Sequence, residues 1–123
     1  MAQDFRELLK EQERTEWGRT YGELVIDGVF GMSIQASDAH GSTPEETLED
    51  PFAYESFEVT LRQLNVPFID SPGRGAWESF TEEEWYPRFD RGMIAGLRIA
   101  EFVPVPMVQA VYEKLLEYVG KKG

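Results

Sequence analysis

In residues 21–37, YGELVIDGVFGMSIQAS, the large apolar side chains Leu24, Ile26, Phe30, Met32, Ile34 and Ala36 all occupy even positions. Glu23, Asp27, Ser33, Gln35 and Ser37 occupy odd ones. Period-two alternation predicts paired strands with one buried face. Asp27-Gly28 interrupts the pattern as a hairpin signal. A two-residue loop would pair Ile26 with Val29 and split the apolar set between opposite faces. The loop Asp27-Gly28-Val29 instead pairs Ile26 with Phe30, Leu24 with Met32 and Gly22 with Ile34, keeping the large apolar residues together. The odd-numbered loop is therefore expected. One long strand with a bulge at Gly28 or Gly31 is the alternative.

The alternation returns at residues 56–64, where Phe57, Val59 and Leu61 share a face opposite Glu58, Thr60 and Arg62. Residues 97–103 predict a last strand, with Leu97, Ile99 and Val103 opposite Arg98, Ala100 and Phe102; Glu101 breaks the face, as an edge or a strand end would. Val108, Val111, Tyr112, Leu115 and Val119 then recur at helical spacing after Pro104 and Pro106, with Gly120 as the expected stop. Residues 2–15 predict an N-terminal helix from Phe5, Leu8 and Leu9. Thr43-Pro44-Glu45-Glu46 reads as a capping box opening a short helix over residues 44–49. Residues 66–69 read as an extended piece spoiled by Pro67. Residues 70–75 read as a turn-rich loop, and residues 76–89 as short turns pinned by Trp77, Phe80, Trp85, Tyr86 and Phe89. The expected fold is α+β: an antiparallel sheet of three or four strands packed by a C-terminal helix, with an N-terminal helix and short helical turns.

The length of 123 residues suits a single domain over 1–123, and 41% hydrophobic content argues against disorder. No apolar run is long enough to span a bilayer. The charged, amphipathic start MAQDFRELLK does not read as a signal peptide, so a cytoplasmic location is the default expectation. The absence of cysteine removes disulfides, thiolate metal sites and a cysteine nucleophile. A net charge of −11 disfavours direct binding to nucleic-acid backbones or anionic membranes and favours a protein partner with a basic surface.

That charge is unevenly placed. From Asp38 to Leu61 there is no Lys or Arg, whereas Glu45, Glu46, Glu49 and Asp50 fall within six positions. Glu82, Glu83 and Glu84 form a second cluster beside Trp85, Tyr86 and Arg88. Solubility alone accounts for such clusters in many proteins. As a partner surface, the carboxylates would steer and Trp85, Tyr86 and Arg88 would anchor; the competing reading of these aromatics is core. Asp38-Ala39-His40-Gly41-Ser42-Thr43 gathers a carboxylate, an imidazole and two hydroxyls, but catalytic groups converge from distant segments more often than from one loop. A capped turn is the simpler reading. His40 is the sole histidine, and neither an EF-hand loop nor a Walker phosphate loop is present, so no metal or cofactor is implied.

Met32-Ser33-Ile34-Gln35-Ala36-Ser37, then Tyr54-Glu55-Ser56-Phe57-Glu58-Val59, and Phe102-Val103-Pro104-Val105-Pro106-Met107-Val108 before the last helix, resemble segments of small uncharacterised proteins encoded by phages and prophages. The resemblance implies a mobile-element accessory protein and supplies no catalytic residue. The expected function is a non-catalytic acidic protein-binding module, in its sharper form an inhibitor mimicking nucleic-acid charge. A self-associating structural or assembly protein, and so a homo-oligomer, is the alternative. A small hydrolase using His40 and Asp38 is the third reading.

Overall fold

The computed structural model describes residues 3–16, 18–64, 80–91 and 97–122. The expected extended piece at 66–69, the loop at 70–75 and Trp77 lie outside them. The fold is α+β. Strands β1 (Glu11–Thr15) and β2 (Gly18–Tyr21) form a two-stranded antiparallel ribbon. Strands β3 (Leu24–Ile26), β4 (Phe30–Gln35), β5 (Ser56–Gln63), β6 (Asp90–Arg91) and β7 (Leu97–Pro104) form an antiparallel sheet in the order β3-β4-β5-β7-β6. Helix α1 (Val105–Lys122) follows without a break.

The β3–β4 hairpin has the odd-loop register, with Leu24 opposite Met32 and Ile26 opposite Phe30. The further pairing of Gly22 with Ile34 is absent, because β3 begins only at Leu24. Asp27 (φ 52°) and Gly28 (φ 69°) both adopt left-handed backbone, and the Val29 N–H closes the turn on the Ile26 carbonyl at 3.0 Å. That conformation is why Asp-Gly stands here: glycine adopts it freely and aspartate more readily than most residues. Phe30, Met32, Ile34, Phe57, Val59 and Leu61 become a fully buried sheet face. Val108, Val111 and Leu115 of α1 complete that core, also at 0% exposure.

Four expectations need correction. The N-terminal helix over 2–15 is replaced by a 3-10 turn, Phe5–Leu8, followed by the strand β1. Its apolar stripe is too narrow to bury a whole helix; Phe5 and Leu9 are the buried residues, and Phe5 meets Phe57 edge-on at 5.4 Å. Gln109 ties this turn to α1 by accepting from the Phe5 N–H at 2.9 Å. The helix over 44–49 is absent. Thr43, its intended cap, is taken by the sheet: its N–H donates to the Ser56 carbonyl, its carbonyl accepts from Glu55, and its hydroxyl accepts from Ser56 Oγ at 2.7 Å. A 3-10 turn forms instead at Pro51–Ala53, capped by Asp50.

In β7 the alternation does not run straight. Val59 pairs with Ala100 and Phe57 with Val103, so a bulge at Glu101–Phe102 moves Ala100 and Val103 onto the same buried face. Phe102 has φ 53° and is 44% exposed, and Glu101 marks the bulge rather than the strand's end. Finally, Gly120 lies inside α1 and does not stop it.

Candidate functional site

The acidic segment after β4 is folded tightly around buried polar groups. In β2, burial alternates so that Arg19 and Tyr21 point inward, at 2% and 4% exposure. The Arg19 guanidinium donates to the Leu48 carbonyl at 2.5 Å, to the Ala36 carbonyl at 2.6 Å and to the Tyr54 hydroxyl at 3.0 Å. It also lies 4.3 Å over the Tyr21 ring, a cation–π contact. Among the described residues it bonds no carboxylate, and its Nε has no hydrogen-bond partner.

Tyr54, 2% exposed, is the second pin. Its hydroxyl donates to the Glu46 carbonyl at 2.6 Å and accepts from the Leu48 N–H at 2.7 Å, besides accepting from Arg19. One donor and two acceptor sites are thus all engaged. Asp38 Oδ1 accepts from the Thr47 N–H at 2.6 Å and from the Thr47 hydroxyl at 3.1 Å. The backbone of residues 46–48 is therefore held from three directions. Gln35 fastens the ribbon to the sheet in a similar way. Its side-chain oxygen accepts from the Tyr21 N–H at 2.7 Å, and its amide donates to the Tyr21 carbonyl at 2.8 Å, as a neighbouring strand would.

The carboxylates of this segment point outward. Glu45, Glu46, Glu49 and Asp50 are all exposed. Glu49 pairs with Arg14 at 2.9 Å, and the guanidinium lowers its pKa from the usual carboxylate value. Arg14 also binds Glu11 at 2.5 Å. Asp50 accepts from the Phe52 N–H at 2.9 Å. No hydrogen bond or ion pair among the described residues engages the carboxylates of Glu45 or Glu46.

The second cluster has a different character. Trp85 is 3% exposed and packs on Phe80 at 5.5 Å and on Phe89 at 5.8 Å, so it is a core residue rather than a surface anchor. Tyr86 is half-buried against it at 6.4 Å. Arg88 is exposed, but its guanidinium donates to the carbonyls of Glu101 and Phe102 at 3.1 Å each and so braces the β7 bulge. Glu83 lies 3.7 Å from Lys114 of α1. Glu82 and Glu84 are exposed. The two clusters are fixed to different elements, the first to the ribbon and the second to α1 and β7.

Closeness in sequence does not join Asp38 to His40. Asp38 is committed to Thr47, while His40 Nδ1 lies 2.7 Å from Ser37 Oγ. Ser37 is fully buried and its Oγ accepts from the Ala39 N–H at 3.1 Å, while the direction of its bond with His40 follows the tautomer of the ring. Burial lowers the His40 pKa, with Arg19 adding to the effect and Glu58 opposing it. The half-buried His40 and the buried Ser37 hold the turn, and the Ser37 hydroxyl is shut away from solvent. Beside it a cleft of about 150 Å³ opens between the ribbon and the 37–41 turn, lined by Glu13, Gly18, Arg19, Thr20, Ala39 and His40 among others. Among the described residues no group of three His, Cys, Asp or Glu side chains is placed to hold a metal ion. Nor is any described helix long and apolar enough to cross a membrane.

Sequence reading missed Arg19, Gln35 and Tyr54 as organising residues. The inward parity of Arg19 and Tyr21 was available as a signal, but partners 14 to 35 positions away were not. No family model, curated protein or solved structure matches the chain.

Proposed function

We propose that this chain is a non-catalytic, acidic protein-binding module whose partner presents a basic surface. The observation that carries the reading is the clamped segment 45–50. Its backbone is fixed by Arg19, Tyr54 and Asp38, while the Glu45 and Glu46 carboxylates are exposed and have no counter-ion among the described residues. Fixing the backbone in advance lowers the ordering cost of association. Exposed like charges on such a frame act mainly on encounter with an oppositely charged surface. In its sharper form the module occupies a groove that otherwise receives nucleic acid. The likeness of three segments to phage and prophage proteins supports an accessory role in a mobile element. The burial of Trp85 weighs against self-assembly through the aromatic segment.

The test is a salt titration of association kinetics with a partner recovered on the tagged chain. The on-rate should fall steeply with salt, since exposed charges are screened within about 10 Å at 0.1 M. Glu49 is committed to Arg14, so the cleaner variant reverses Glu45→Lys and Glu46→Lys only. It should slow association more than it speeds dissociation. Salt-independent binding, untouched by the reversal, would leave these charges as a solvated surface.

A further inference from the structure

The ribbon has an edge that no other described strand pairs with. Strand β1 pairs with β2 on one side alone, and the ribbon is a separate two-stranded sheet. Every residue of β1 is exposed. Along Glu11–Arg14 no described strand lies beside the outer edge, and no backbone hydrogen bond from another described segment closes it. An open edge is a template for an added strand. The cleft beside His40 and the exposed Val25 of β3 are weaker candidates. The cleft mixes Glu13 with the buried Arg19 cation and so selects no ligand charge. The strand β3 is only three residues long, and nothing indicates what would cover it.

Charge decides what fits β1. Residues 10–16 and 45–50 hold seven carboxylates against Lys10 and Arg14 alone. The Arg14 guanidinium is already divided between Glu11 and Glu49, which also places the clamped segment next to the strand. A second copy of β1 would bring Glu13 opposite Glu13 in an antiparallel pairing centred there, an unfavourable cross-strand pair. The bulge between Glu11 and Glu13 further limits self-pairing. An incoming strand rich in Lys or Arg meets the opposite field on both flanks. We infer that the outer edge of β1 receives an extended, basic peptide segment by strand addition. Main-chain hydrogen bonds would seat it, and Glu11, Glu13, Glu16 and the 45–50 segment would select its charge. This rests on the acidic binding reading above and gives it a geometry.

The probe is a capped heptapeptide, Lys-Thr-Lys-Val-Lys-Thr-Lys, compared with an analogue N-methylated at every residue and with a Glu-for-Lys version. N-methylation keeps the charge and removes the strand's donors on both edges, and it leaves the folded protein untouched. Binding followed by amide NMR should slow hydrogen exchange at outward-facing amides within 11–14 by at least tenfold at saturation. The N-methylated analogue should bind at least tenfold more weakly, and the acidic version not at all. Equal affinity for the basic peptide and its N-methylated form would overturn strand addition while leaving electrostatic capture standing. So would perturbation confined to residues 45–50. Equal binding of the acidic peptide would overturn the charge assignment. Absence of binding by any peptide up to millimolar concentration would overturn the inference, whereas the salt titration with Glu45→Lys and Glu46→Lys judges the underlying reading separately.

Discussion

Arg19→Met and Arg19→Lys, taken together, ask whether the buried guanidinium is what orders the acidic segment. Removing it leaves the Leu48 and Ala36 carbonyls short of a donor, whereas the Tyr54 hydroxyl keeps Glu46 and Leu48. Each buried acceptor left unsatisfied costs about 1–3 kcal/mol. The Tyr54 hydroxyl also lies 3.4 Å from the Ala36 carbonyl, but its one proton goes to Glu46 and does not replace the lost donor. Against this, the buried Arg19 cation bonds no carboxylate among the described residues, and its Nε has no hydrogen-bond partner among them. Deleting it recovers part of a desolvation cost of several kcal/mol. The net expectation for methionine is a loss of about 1–3 kcal/mol. Lysine keeps the charge and its desolvation, but one ammonium cannot reproduce a planar fork reaching three oxygens. It should cost at least as much as methionine, although it is the chemically closer residue. Urea unfolding reads the effect: with m near 1–3 kcal/mol/M, each midpoint should fall by roughly 1 M. Amide exchange at Glu46–Leu48 should quicken in both variants. A lysine variant at the wild-type midpoint would refute the argument. Destabilisation without faster exchange at 46–48 would show that Arg19 supports the fold but not the segment.

Phe30→Ala empties a fully buried site whose ring meets Tyr118 at 5.5 Å and Phe80 at 6.1 Å, and should cost about 3–5 kcal/mol in the same urea assay. Ser33→Ala, on the opposite face, should cost under about 1 kcal/mol. Gly120→Ala should stabilise by up to about 1 kcal/mol, measured by thermal unfolding, because Gly120 sits in α1 with nothing within 4 Å of an added Cβ. His40 has a folded pKa held below its ordinary 6.5, so the folded state favours the neutral ring. Its stabilising contribution is present above about pH 6.5 and is lost as pH falls through the lowered folded value. Unfolding free energies from pH 8 to 5 should therefore fall more steeply for wild type than for His40→Ala, and parallel profiles would contradict this.

The hairpin, the sheet core and the helix face of α1 were legible in the sequence because their causes are local. Side chains alternate across a strand and recur along a helix, and one-sided burial forces the choice of loop at Asp27–Val29. The acidic segment was legible as composition, since a run without Lys or Arg needs no fold to be seen. Its shape was decided by tertiary contacts. Thr43 had a sound local role as a helix cap, yet pairing with Ser56 claimed its backbone and hydroxyl. Phe102 continued an alternation that the pairing of β5 with β7 breaks by one residue. Trp85 has the same chemistry in a core as at an interface, and only packing against Phe80 and Phe89 assigns it. Residues 2–15 carried a helical stripe too thin to bury a whole helix, so the strand pairing of Glu11–Thr15 with β2 prevailed. Arg19 had no meaning until Ala36, Leu48 and Tyr54 gathered around it. A hydrogen bond between residues 17 to 35 positions apart leaves no periodic trace in the chain, because its partners are brought together only by the packing of the whole.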